Sequence, residues 1–279
     1  MISIIIPACN EEAVIGRCLR VLLDGARPGE LEIIVACNGC SDQTALKARL
    51  FGSPVQVIEL EQASKTAALN AAEQIAVGFP RLYVDADVVL PLVSVRRVAQ
   101  ALKRNGALLA SPVAVTETAH SSRAVRAFYD IWTRMPYNQV MVGTGVYALS
   151  ERGRARFGAF PDVIADDGFV RSRFSPQERI AVSDATVRVV APRTLTDCIR
   201  IKTRSRLGLY ELTARYPQPE NADHKSALAI VRSLPWGPAL PWRVMVYLGV
   251  NVVARLKARQ LKKNLQQYRW QRDETSRNL

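Results

Sequence analysis

Two carboxylates one residue apart, Asp85 and Asp87, lie between the apolar runs Leu82-Tyr83-Val84 and Val88-Val89-Leu90. If the chain is extended there, alternation places both on the same side of a strand end. Ionised carboxylates among apolar neighbours need a counter-charge, and their oxygens suit a hard divalent cation such as Mg2+ or Mn2+. A pair of turn aspartates ahead of Pro91 is the plainer alternative. Two more acid-containing polar segments follow apolar runs in the same way. Pro7-Ala8-Cys9-Asn10-Glu11-Glu12 follows residues 2–6, and Ala36-Cys37-Asn38-Gly39-Cys40-Ser41-Asp42 follows residues 31–35. Ligands of open parallel sheets bind beyond the carboxyl ends of the strands, so three such ends point to one site.

The elements that must position these residues are legible as an alternation. Short runs rich in Ile, Val and Leu (2–6, 31–35, 55–60 and 81–84) have the character of strands buried on both faces. Between them, residues 11–23 place Ile15, Cys18, Leu19 and Leu22 on one helical face, with Glu11 and Glu12 in the first turn. Residues 65–77 do the same with Ala68, Ala71, Ala72 and Ile75. Later come a β-like run at 107–117, a helical stretch at 123–135, and strands at 145–149 and 185–191. Strand–helix alternation at this spacing predicts an α/β fold with a mainly parallel sheet flanked by helices. Pro217, Pro219, Pro235, Pro238 and Pro241 mark a change of style, so the expected organisation is one domain over 1–215 and a helical, basic extension over 216–279.

Composition narrows the chemistry. Apolar residues make up 48% and charged residues 23% of 279, an ordinary globular balance that excludes a disordered chain or a small disulfide scaffold. The excess of Lys and Arg over Asp and Glu is 38 − 25 = +13, which calls for an anionic partner. The Cys37/Cys40 pair has C-x-x-C spacing, but His120 and His224 are the only histidines and lie far away, so inert thiols are expected rather than zinc. The odd cysteine count and the absence of a leader pattern after Met1 suggest a reducing, cytoplasmic setting. No dinucleotide-binding G-x-G-x-x-G, P-loop, nucleophile elbow or H-E-x-x-H is present. The chemistry is left to carboxylates, a metal and basic groups.

Taken in order, IIIPACNEE at 4–12, ACNGCSDQT at 36–44, SKTAALN at 64–70, DAD at 85–87 and ADDGFV at 165–170 resemble the family 2 glycosyltransferases of the GT-A fold. The resemblance covers about residues 1–210 and implies an inverting, metal-dependent, hexosyltransferase-like enzyme that uses a nucleotide-sugar. It places Pro7, Ala8, Asn10, Glu12 and Asn38 at the nucleotide's base and ribose. Asn38 stands where the family often has an acid and Cys9 where it often has an aromatic, which leaves UDP-, GDP- and dTDP-linked donors open. Lys65 matches a basic residue beside the donor phosphate, as suits a cation opening a helix. Asp87 takes the place of the Mn2+ or Mg2+ ligand, and Asp85 binds ribose or the metal. Asp167 falls at the catalytic carboxylate that accepts the acceptor hydroxyl's proton, with Asp166 beside it in place of the usual Glu. Gly143 and Thr144 fall in a small-residue segment on the acceptor side, and Arg204 or Arg206 clamps the diphosphate. The Q-x-x-R-W motif is only partly present, since Leu207 follows Arg206; this argues against a processive synthase.

The extension adds a partner. Residues 240–265 combine an apolar first half with a basic second half, and 240–279 carry nine basic and two acidic residues, or +7. The apolar part is shorter than the ~20 residues a membrane span needs, so the expected role is an interfacial helix on an anionic membrane surface. The alternative is a helix packed on the core. A glycan or lipid-linked acceptor, in cell-surface polysaccharide or glycoconjugate synthesis at the inner face of the membrane, would suit this tail. A sugar-phosphate nucleotidyltransferase is the rival enzyme, but residues 8–12 lack the Gly-rich, Arg-containing loop it would need. A nucleic-acid-binding protein is the rival non-enzyme. Its basic residues are not interleaved with stacking aromatics, so no nucleic-acid partner is expected.

Overall fold

Ile4, Ile5 and Ile6 are wholly buried and form the centre of β1 (Ile2–Ala8), the strand from which the sheet grows in both directions. The computed structural model describes residues 1–104, 106–135, 144–216, 234 and 237–262. On one side β1 pairs in parallel with β2 (Leu31–Asn38), and β2 with β3 (Val55–Leu60). On the other it pairs in parallel with β4 (Arg81–Val84). Helices α1 (Ile15–Leu23), α2 (Thr44–Arg49) and α3 (Lys65–Glu73) make the crossovers that parallel strands require. The chain therefore runs outward from β1 to β3 and returns to β1's opposite side, making β1 the switch point of the sheet.

Beyond β4 the sheet continues with β6 (Val146–Leu149), antiparallel to β4 and to β5 (Leu109–Glu117), and with β7 (Arg179–Val190) at the edge. The full order is β3-β2-β1-β4-β6-β5-β7. This is the mainly parallel, helix-flanked sheet that the sequence predicts, with β6 running antiparallel to its neighbours. Helix α4 (Leu92–Arg104) buries Leu92, Val95, Val98 and Leu102 in the same core.

Two compact units emerge. The first comprises Met1–Val115, Gly143–Asp162 and Arg173–Val189, and the second Thr116–Val142, Val163–Ser172 and Val190–Leu279. In the first, a buried polar cluster underlies β4. Glu73 accepts from Arg81 Nη1 at 2.7 Å, from Arg154 Nε of α6 (Glu151–Arg154) at 2.7 Å, and from the Tyr83 hydroxyl at 2.6 Å. Tyr83 stacks on Tyr147 with centroids 4.6 Å apart, and burial beside Glu73 pushes its hydroxyl well above its ordinary pKa, so it stays a donor.

In the second unit, α5 (Arg123–Trp132), α8 (Leu195–Arg215) and α9 (Leu240–Lys262) pack together. The short helix α7 (Asp166–Arg171) docks on α8, where a Cβ on Gly168 would meet Leu212 at 2.7 Å and one on Gly208 would meet Ala165 at 2.9 Å. Phe128 stacks on Tyr247, and Arg243 pairs with Asp130 at 3.3 Å. Helix α9 buries Val246, Val250, Ala254 and Ala258, one residue per turn.

Three elements depart from the sequence reading. Helix α1 begins at Ile15, not at residue 11, because the carbonyl of Glu11 already accepts the N–H groups of Val14 and Ile15 in a preceding turn. Helix α3 stops at Glu73, and Ile75 is exposed instead of joining the buried Ala68, Leu69 and Ala72. The Glu32 carboxylate captures the N–H groups of Val77 and Gly78, ending the helical path. Strand β7 starts at Arg179, six residues before the expected 185.

Candidate active site

The carboxyl ends of β1, β2 and β4 lie side by side at the switch point, as the register Ala8↔Cys37 and Ile5↔Tyr83 requires. The first two loops are stitched together. Asn10, in the left-handed conformation with φ 54°, accepts the Ser41 N–H at 2.7 Å through Oδ1. The Glu11 N–H donates to Thr44 Oγ1 at 2.7 Å, and the Glu12 N–H donates to Asp42 Oδ2 at 3.1 Å. Glu12 in turn accepts the Gln43 N–H at 3.1 Å. Asn38 is buried and spans the two strand ends, donating to the Ala8 carbonyl at 3.0 Å. Pro7 and Ala8 are buried in β1, so their backbone and not their side chains shapes this edge. Gly39 has φ +58°, and a Cβ there would lie 2.7 Å from Ala63 Cβ, so the loop's turn needs glycine on both counts.

The D-x-D segment is held at both ends. The Asp85 N–H donates to the Gly145 carbonyl at 2.8 Å, and Val89 exchanges two 2.9 Å hydrogen bonds with Arg188. Ala86 is buried while Asp85 and Asp87 are half-buried, the alternation expected of the sequence. Arg17 Nη2 reaches the Asp87 carbonyl at 3.5 Å. Beneath them Cys18 is wholly buried, and burial followed by the nearby Asp87 charge pushes its thiol up to about 12. That thiol is chemically inert at neutral pH, and no disulfide forms among the cysteines.

Lys65 opens α3, whose N-cap Ser64 accepts the Ala67 N–H at 3.2 Å. Its Nζ lies 2.8 Å from Asp85 Oδ1. The structure thus brings Lys65 and Asp85 together. Gly145, with φ +64°, leaves them room: a Cβ would press on Val88 at 2.7 Å and on Asp85 Oδ2 at 3.2 Å. Thr144 is buried, and its hydroxyl bonds to the backbone of Val146. Gly143 lies outside the described residues.

The remaining candidates belong to the second unit. Asp167 is exposed and accepts the Gly168 N–H at 2.7 Å, while Asp166 is buried. Both sit in the first turn of α7, where the helix dipole favours negative charge. The Glu211 carboxylate, accepting the Ile164 N–H at 2.8 Å, anchors the segment that leads into it. On α8, Arg200 is committed to Asp197 at 3.0 Å. Lys202 stands 3.7 Å from the Trp132 ring centroid, and burial pushes its ammonium down to about 8. Arg204 and Arg206, the other two of the alternating four, are half-buried.

Sequence reading assigned no role to Thr44 or Arg17, whose partners Glu11 and Asp87 lie 33 and 70 positions away; Ser41-Asp42-Gln43-Thr44, a helix-start pattern, was a signal for Thr44 alone.

Among the described residues no three His, Cys, Asp or Glu side chains cluster to hold a metal. A hard cation at Asp85 and Asp87 would need its other oxygen ligands from a bound anion and water.

Comparison with known proteins agrees with this fold. A mannosyltransferase from Pyrobaculum calidifontis, in complex with GDP-Man and Mn2+, shares the fold at TM-score 0.60 and 18% identity, over 95% of this chain and 79% of that one. Glucosyl-3-phosphoglycerate synthase from Mycobacterium tuberculosis, in complex with Mn2+, UDP and glucosyl-3-phosphoglycerate, does so at TM-score 0.54 and 21% identity, over 79% and 81%. No curated protein sequence matches the chain. The sequence model of the glycosyl transferase family 2 matches residues 3–156, a stretch that includes both stitched loops, Lys65 and the D-x-D turn, and the chain belongs to that family.

Proposed function

We propose that the protein is a metal-dependent, inverting glycosyltransferase that moves a sugar from a nucleoside diphosphate donor to a hydroxyl of a glycan or lipid-linked acceptor. Residues 1–215 would be the transferring domain and 216–279 a helical extension. The observation that carries this reading is the D-x-D turn at the switch point of the sheet, pinned by Gly145 and Arg188 and faced by Lys65. The family supports the reaction class, and the Mn2+, GDP-Man and UDP of the structural neighbours support the cofactor and donor class.

The stitched edge of Pro7, Ala8, Asn10, Glu12 and Asn38 would receive the base and ribose. Asp87 and Asp85 would hold the cation, which when bound neutralises charge on the departing diphosphate. Lys65, at a helix N-terminus, adds a positive charge for the donor phosphates, and Arg204 or Arg206 supplies another. The Asp167 carboxylate takes the proton of the acceptor hydroxyl as that oxygen attacks the anomeric carbon. Asp166 and Thr144 support the acceptor side. The acceptor suits synthesis of a cell-surface polysaccharide or glycoconjugate.

Thermal stability against UDP-, GDP- and dTDP-sugars, with and without Mn2+, tests the donor site. One nucleotide class with metal should stabilise the protein by about 2.7 kcal/mol at a hundredfold excess over its dissociation constant. Asp87→Ala should abolish that gain and leave the ligand-free melting point nearly unchanged. A wild type that responds to no combination, or an Asp87→Ala variant that responds fully, defeats the assignment.

A further inference from the structure

Helix α9 has two apolar faces, and among the described residues only one of them is covered. Val246, Val250, Ala254 and Ala258 point into the second unit. Trp242, Met245, Leu248, Val252 and Leu256 are each 48–58% exposed. Their spacing of three or four residues gathers them into a second stripe along the helix. From Trp242 to Leu256 it runs about 21 Å at the α-helical rise. An exposed row of five large apolar side chains on one helix is more than the scattered apolar surface of an ordinary protein.

The charge around the stripe selects what covers it. Helix α9 contains no acidic residue, and Arg255, Lys257, Arg259 and Lys262 are all exposed in its C-terminal half. Arg243, the remaining cation of α9, is paired with Asp130. Arg255 and Arg259 follow the stripe's own turns, so an apolar band ends in a basic one. Among the described residues no helix is long and apolar enough to cross a membrane. An apolar stripe with basic flanks, on a helix anchored along its opposite face, matches a bilayer surface with anionic headgroups. A second copy of the chain would bring four more cations against these four.

We infer that the outer face of α9 docks the protein on an anionic lipid bilayer. The helix lies in the plane of the interface, with Trp242, Met245, Leu248, Val252 and Leu256 at the headgroup–acyl boundary and the C-terminal cations on the headgroups. This goes beyond the transfer chemistry and does not depend on it.

The test is flotation of the full chain with phosphatidylcholine vesicles containing phosphatidylglycerol, and with vesicles of phosphatidylcholine alone. Binding should require the anionic lipid. Leu248→Ser combined with Leu256→Ser should weaken it at least about tenfold, by loss of apolar burial. Arg255→Gln and Arg259→Gln should each cost about fivefold. These side chains are exposed, so circular dichroism and melting of the variants should match the wild type. A readout independent of these variants is Trp242 fluorescence, which should shift to the blue on the anionic vesicles and lose that shift in Trp242→Phe. Equal binding to both vesicle types, or unchanged binding by the serine double variant, overturns the inference. So does a wild type that ignores vesicles but sediments as a dimer that the serine variant dissociates, or one whose α9 cations bind duplex DNA instead.

Discussion

Asp167→Asn lowers turnover of the stabilising nucleotide-sugar by about a hundred- to ten-thousandfold, the range for loss of a positioned general base. Nucleoside diphosphate release measures it, alongside the thermal shift produced by donor and Mn2+. The substitution keeps an amide oxygen for the Gly168 N–H that Asp167 accepts at 2.7 Å. It removes one charge from the first turn of a short, exposed helix end, worth a few tenths of a kcal/mol. Donor-induced stabilisation should therefore survive while turnover collapses. This split separates the base from the donor site, because Asp87→Ala should lose both. A variant that turns over at the wild-type rate would show that Asp167 only caps its helix.

The second large effect falls on stability. Glu73→Ala leaves Arg81 and Arg154, whose side chains are 7% and 15% exposed, without their shared carboxylate. Breaking a buried pair by removing one partner costs about 3–5 kcal/mol, because the remaining charge is left uncompensated. Here two guanidinium groups and the Tyr83 hydroxyl lose an acceptor together. Arg81 Nε is already buried without a hydrogen-bond partner, and Arg81 would keep its Nη2 bond to the Ala76 carbonyl at 2.8 Å. The stacking of Arg81 on Phe79 and of Arg154 on Phe157 retains part of the packing. Urea unfolding should show the loss, with Glu73→Gln in between, since its amide oxygen still accepts. A loss under about 1 kcal/mol would mean that the site relaxes to solvate both arginines.

What the sequence disclosed follows the range of the forces involved. Of the four parallel strands, β1, β2 and β4 were legible as buried apolar runs, because burial on two faces is a local property of composition, whereas β3 exposes Gln56 and Glu59 and buries only Val55. The D-x-D turn and its alternation were legible for the same reason. The start of α1 was not. Glu11 and Glu12 look like first-turn acids, yet Thr44, Asp42 and Gln43, thirty or more residues on, claim their backbone and carboxylate. The end of α3 was hidden likewise, since Glu32, from another strand, takes the amides that would have continued it. Lys65 read correctly as a cation opening a helix, but its ion pair with Asp85 lies across twenty residues and has no local signature. Helix α9 was legible as a helix, but not for which side it would bury, because both of its faces are apolar.

The stitching of the first two loops has a dynamic consequence. Loop amides usually exchange with solvent at the low-stability end of a fold. Here the N–H groups of Glu11, Glu12, Ser41, Gln43 and Thr44 each end on a side-chain oxygen, all but Thr44 on the neighbouring loop. None of the four cross-loop bonds can open far without disturbing the others, so the edge behaves as one rigid lip rather than two independent flaps. A ligand reaching it meets a surface whose conformational entropy was given up on folding, and little ordering is left for binding to oppose.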